Sequence, residues 1–125
     1  MVDRFLLLLL LSLTCLLAAC AEDPALPLIG SWQAVAVTEN GDSLRLDPAQ
    51  VGFDFTADRR YRFRSTLKYT EAGTWRYDRG FLLANDTTRA DSPERVVEIE
   101  KLNQDSLGIR MMNGSAERRM LLLRQ

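Results

Sequence analysis

Carboxylates, guanidinium groups, aromatic rings and two thiols are the side chains of this 125-residue chain whose types and spacing could do chemistry. Glu98 and Glu100 stand two apart, and Asp86 and Asp91 share one polar stretch. Acid/base work needs carboxylates that converge across a cleft, whereas residues two apart on a strand project in parallel, so no catalysis is expected from them. The chain has no His and only Cys15 and Cys20, which excludes a His-ligated metal site, a Ser-His-Asp or Cys-His relay and a zinc ribbon. No Asp-x-Asp-x-Asp-Gly calcium spacing is present. The expectation is a protein that is not an enzyme and carries no cofactor and no metal.

Arginine and the aromatics carry more. There are fourteen Arg to two Lys, and Arg60, Arg62 and Arg64 fall on one strand face with Arg76 on a following strand. Such a stripe suits phosphate or carboxylate groups, as on a lipid head group or an acidic partner. It also reads as a solvated face balanced by Asp54 and Asp78 through cross-strand pairs. Trp32, Phe53, Phe55, Tyr61, Phe63, Trp75 and Tyr77 could line a pocket for an apolar ligand or simply fill a core. Tyr61 and Tyr77 tilt toward a pocket, because a buried hydroxyl needs a partner.

The elements that must position these groups are strands. From Leu28 onward apolar residues recur with period two: Val51, Phe53 and Phe55; Tyr61 and Phe63; Trp75 and Tyr77; Val97 and Ile99; Leu107, Ile109 and Met111. Strands are expected near 29–39, 42–46, 50–56, 60–66, 73–78, 81–85, 94–102, 106–112 and 116–124. Asn40-Gly41 and Asn113-Gly114 are two-residue hairpin signals of the type I′ kind, and Asp78-Arg79-Gly80 supplies a Gly for a left-handed position. Asp47-Pro48 ends the second strand. Strands linked by short turns, each with one wet face, remove their edges by closing into a barrel, and eight or so leave an interior that is filled or holds one small ligand. The inward set is expected to include Trp32, Ala34 and Ala36 on the first strand. The last strand is apolar on both faces at Met120-Leu121-Leu122-Leu123, which suggests contact on both sides.

Ahead of this body lies a different kind of chain. Phe5 to Leu17 holds eleven hydrophobic residues out of thirteen, too short for a bilayer span of about 20 residues but right for a secretory signal core. Leu17-Ala18-Ala19-Cys20 resembles the bacterial lipobox, which implies cleavage before Cys20 and its acylation, so that the protein is held to a membrane through Cys20 rather than spanning it. Ala21 after the Cys implies, by the common sorting rule, the outer membrane of a bacterial envelope. The expected organisation is therefore 1–19 signal peptide, 20–27 lipidated tether with two prolines as a semi-rigid spacer, and 28–125 a single barrel domain. Without residues 1–19 the body is near neutral, which argues against a nucleic-acid partner.

Ile29-Gly30-Ser31-Trp32 opening the first strand, Phe53-Asp54-Phe55-Thr56-Ala57-Asp58 leading to Tyr61-Arg62-Phe63, and Gly73-Thr74-Trp75 together resemble the lipocalin-like lipoproteins of bacteria. The resemblance covers nearly all of the chain after Cys20. It implies an all-β, up-and-down antiparallel barrel of about eight strands that binds a small hydrophobic ligand, with Gly30 allowing close approach and Trp32 plugging the closed end. The body is smaller than a full lipocalin. The alternative is a protein-binding barrel with a filled core, an envelope enzyme inhibitor or assembly accessory, acting through loops or the Arg face.

Overall fold

The computed structural model describes residues 3–6, 22–65 and 70–125. Cys15 and the lipidation site expected at Cys20 lie outside the described residues. The body is a closed antiparallel barrel. Its strands are β1 (Gly30–Glu39), β2 (Asp42–Ser43), β3 (Gly52–Phe55), β4 (Arg60–Arg64), β5 (Thr70–Asp78), β6 (Phe81–Asp86), β7 (Arg95–Leu102), β8 (Ser106–Asn113) and β9 (Ala116–Arg124). From β3 to β9 each strand pairs with the next; β3 and β9 both pair with β1, which closes eight strands, and β2 is an extra two-residue strand on β1. Closure gives every barrel strand a partner on both sides over at least part of its length, the physical reason a meander of short strands folds this way.

Alternation sets what faces inward. Pairs such as Trp32↔Phe53, Phe53↔Phe63 and Leu107↔Leu122 place apolar side chains on one inner face, and all but the half-buried Phe63 are buried. β1 departs from the expected alternation. Ala34 pairs with Leu122 and Ala36 with Leu121, so Val35 is an extra residue, a β-bulge. The bulge turns Ala36 out to solvent and Val37 into the core, which corrects the inward position expected for Ala36. On β9 Met120 and Leu122 point inward, while Leu121 and Leu123 are exposed rather than covered on a second side.

Turns follow the chemistry of their residues. Asn40 (φ 49°) and Gly41 (φ 85°) are both left-handed, as a type I′ hairpin requires, and Arg79 (φ 49°) and Gly80 (φ 86°) repeat the arrangement. At the last hairpin Asn113 pairs with Ala116, so the loop is Gly114-Ser115 with only the Gly left-handed; the turn expected at Asn113-Gly114 sits one residue later. After β2, Asp47 caps a 3₁₀ turn at Pro48–Gln50, its carboxylate accepting from the Ala49 N–H at 3.0 Å. This excursion carries Leu44 and Leu46 against the core.

The two ends of the barrel differ. One is closed by the segment before β1: a 3₁₀ turn at Leu26–Leu28 buries Ala25 and Leu28, and the Trp32 indole donates to the Leu28 carbonyl at 2.9 Å. The Arg124 guanidinium lies 4.3 Å over the Trp32 ring and donates to the carbonyls of Ile29 and Pro27. Gly30, at φ 139°, lets this guanidinium approach, since a Cβ there would stand 2.5 Å from its Nη1. Residues 23–28, most of them expected as a spacer, are thus packed on the barrel floor. The other end is open, and there the wall parts: pairing of β7 with β8 starts only at Glu98↔Arg110. Arg95–Val97 ladder to β6 and Met111–Asn113 to β9, but no pair joins these two stretches across the seam.

Candidate functional site

Below the mouth aromatic rings pack against one another. Phe53 stacks on Phe55 at 5.6 Å and meets Phe63 at 4.7 Å, and Phe55 meets the edge of Trp75 at 5.6 Å. Of the seven aromatics proposed for a ligand, Trp32, Phe53, Phe55 and Trp75 are buried in this packed part, and Tyr77 lies half-buried beside the barrel floor. Tyr61 and Phe63 stand on cavity walls at the mouth.

Two cavities open there and share Arg95, Met111 and Met112. One, about 420 Å³, has mainly apolar walls from Val37, Leu44, Leu46, Phe63 and Met120, with Arg118 and Ser65 as polar points. The other, about 500 Å³, takes inward-facing Tyr61, Glu71 and Met111 together with outward-facing Val96, Glu98 and Met112. Only an opening in the wall can place both sets on one cavity, and the unpaired stretches of β7 and β8 are that opening.

Between the cavities and the packed core sits a polar cluster. β5 begins at Thr70, three residues before the expected start, which puts Glu71 in phase with Gly73 and Trp75 on the inner face. Arg95 is likewise in phase with Val97, and Asp86 with Leu82 and Ala84. The registers Phe63↔Glu71, Gly73↔Asp86 and Ala84↔Arg95 gather the three charges at one level. Glu71 is 1% exposed. Its carboxylate accepts from the Tyr61 hydroxyl at 2.7 Å and from both terminal nitrogens of Arg95 at 3.1 and 3.2 Å. Half of the Arg95 side chain remains exposed to the mouth. A bidentate guanidinium and a phenol donor compensate the desolvated carboxylate, so the cluster is a fixed, satisfied polar floor. Burial pushes the Tyr61 phenol well above its usual range, and the adjacent Glu71 carboxylate adds to the shift, so Tyr61 remains a donor.

Asp86 completes the level. Burial raises its pKa, but the donated hydroxyl and N–H of Thr88 and the Arg89 charge are among the interactions that outweigh it and hold the group below the ordinary carboxylate value of 3.8. A depressed folded pKa means that Asp86 contributes stability above about pH 4, lost as pH falls through the folded value. Asp86→Asn is expected to flatten the decline of the urea midpoint below about pH 4, and an unchanged acid slope would count against this role.

The other sequence candidates are dispersed. Arg60, Arg62 and Arg64 are exposed on the outer face of β4, with Arg64 3.7 Å from Asp54, and Arg76 is paired with Glu94 at 3.0 Å rather than standing free beside them. Glu98 is bound to Arg110, and Glu100, at a bulge in β7, to Arg119. Asp91 is an exposed loop residue, apart from Asp86. Glu71 and Arg95 were not among the sequence candidates. The available signal was phase: each continues an inward set by one step of two.

Arg118 adds a second guanidinium to the smaller cavity. Its Nη2 is 3.4 Å from Glu39, and its buried Nε has no hydrogen-bond partner. The mouth therefore offers an apolar wall with cationic side chains at its edge. No protein-family model matches the chain, and no curated protein matches it in sequence.

Proposed function

We propose that this is a non-enzymatic, lipid-anchored lipoprotein of the bacterial envelope, whose lipocalin-like barrel binds a small hydrophobic ligand at its open end. The signal-like leader and the lipobox at Cys20 support the anchor, and Ala21 supports the outer membrane. The observation that carries ligand binding is the apolar mouth cavity of about 420 Å³ above a packed core. Cavities of roughly 300–1,000 Å³ with mostly apolar walls and a few placed polar groups are the usual form of small-molecule sites.

Titration with N-phenyl-1-naphthylamine, an uncharged apolar fluorophore, is the test. The protein is expected to enhance its emission saturably, and Met111→Trp, which fills the wall common to both cavities, is expected to weaken uptake about tenfold or more, equivalent to roughly 1.4 kcal/mol. An unchanged urea midpoint in the variant shows that the fold is intact. Absence of uptake by the folded wild-type protein would favour the protein-binding reading instead. Val35, Leu121 and Leu123, exposed on the outer face of β1 and β9, support that second reading.

A further inference from the structure

We infer that the closed end of the barrel seats on the bilayer and its mouth opens away from it, an orientation set by the docked segment Asp23–Ile29. The inference rests on the acylation of Cys20 proposed above. The Asp23 carboxylate holds Arg59, in the β3–β4 turn, at 2.5 Å and accepts from the Ala25 N–H at 2.9 Å. Backbone bonds from the N–H groups of Leu26, Leu28 and Ile29 to the carbonyls of Asp23, Ala25 and Leu26 tighten the segment. At its far side Arg124 of β9 grips the Pro27 and Ile29 carbonyls at 2.6 and 2.7 Å. The segment thus crosses the floor like a strap from the β3–β4 turn to β9 and β1.

Chain length then fixes the distance to the lipid. From Cys20 to Asp23 are three residues, which span at most about 10 Å when extended. The mouth lies at the other end of strands such as the eight-residue Ser106–Asn113, about 20 Å away along a tilted barrel wall. The acyl chains therefore reach the floor and not the mouth. The strap turns Ala25 and Leu28 into the barrel and leaves Leu26 52% exposed on its outer side, the apolar residue that meets the head-group region. A ligand consequently exchanges with the aqueous compartment rather than with the bilayer that holds the protein.

The test uses the full lipoprotein isolated from its own cells and reconstituted in vesicles of phosphatidylethanolamine and phosphatidylglycerol carrying a head-group nitroxide. After removal of 1–19 the chain has no Cys other than Cys20. Leu26→Cys, Gln104→Cys at the closed end and Ser115→Cys at the mouth therefore each give a unique thiol for a fluorescent label. Quenching at Leu26→Cys and Gln104→Cys is expected to exceed that at Ser115→Cys about threefold or more, because the two ends differ by roughly the barrel height. A flexible Gly/Ser insertion between Ala21 and Glu22 is expected to erase the difference while the protein still floats with the vesicles. Equal quenching at the three positions of the uninserted protein, or stronger quenching at Ser115→Cys, would overturn the orientation alone. Failure to float, with mass spectrometry showing an unmodified Cys20, would overturn the lipoprotein reading and the orientation with it.

Discussion

Trp32→Ala is expected to lower the unfolding free energy by about 3–5 kcal/mol, the range for removing a buried large aromatic. Trp32 is 0% exposed, and its loss empties the centre of the barrel floor. Three contacts go with it: the indole donor to the Leu28 carbonyl, the Arg124 guanidinium over its face, and the wall against which the Ala25–Leu28 segment packs. A domain of this size is stable by only about 5–15 kcal/mol, so the variant would be close to unfolding at ambient temperature. Urea denaturation followed by the emission of the remaining Trp75 measures the effect. A loss below about 1 kcal/mol would show that the closed end is not held by this residue.

The second large effect concerns the polar floor under the mouth. Arg95→Met leaves Glu71 buried with the Tyr61 hydroxyl but without its counter-ion. Removing one partner of a fully buried pair costs about 3–5 kcal/mol, and the half-exposed Arg95 side chain lowers that to about 1–3 kcal/mol through solvent screening. The double variant Arg95→Met with Glu71→Leu is expected to regain most of the loss, because both charges leave together and their apolar replacements pack. The double-variant cycle separates this from a simple packing defect. If Glu71→Leu added a further loss to that of Arg95→Met, the pair would not be the unit described here. Because Arg95 stands on the wall of both cavities, the same variants report whether the floor orients a guest: apolar probe uptake would persist in the double variant, whereas discrimination for a guest with an anionic end would fall.

The strand pattern was legible in the sequence because each strand carries its own alternation and each hairpin its own turn residues. Phe53-Asp54-Phe55 and Tyr61-Arg62-Phe63 announce an inner and an outer face locally, and Asn40-Gly41 fixes the register of its hairpin without help from elsewhere. What could not be read depends on partners distant in the chain. The Val35 bulge is defined by the register of β1 against β9, eighty-odd residues away, and nothing in Ala34-Val35-Ala36-Val37 marks which residue is the extra one. Glu71 looked like a loop residue ahead of a strand; its carboxylate is compensated by the Tyr61 hydroxyl and by Arg95, ten residues earlier and twenty-four later, which meet it in the interior. The aromatics showed the opposite limit. Their period placed them inside, but whether they fill a core or line a pocket depends on their depth along the barrel, which periodicity does not encode. The docking of residues 23–28 was hidden for a similar reason, since two prolines read as a spacer until Arg59 and Arg124 are seen to hold the segment at both sides.

Native mass spectrometry of the protein purified from its own cells tests most directly whether the open end holds a guest. The account predicts a small molecule retained by the wild-type chain, lost from Met111→Trp and retained by an outer-face variant such as Leu121→Ser. A bare wild-type chain that also takes up no apolar probe, or a bound species retained equally by Met111→Trp, would contradict it.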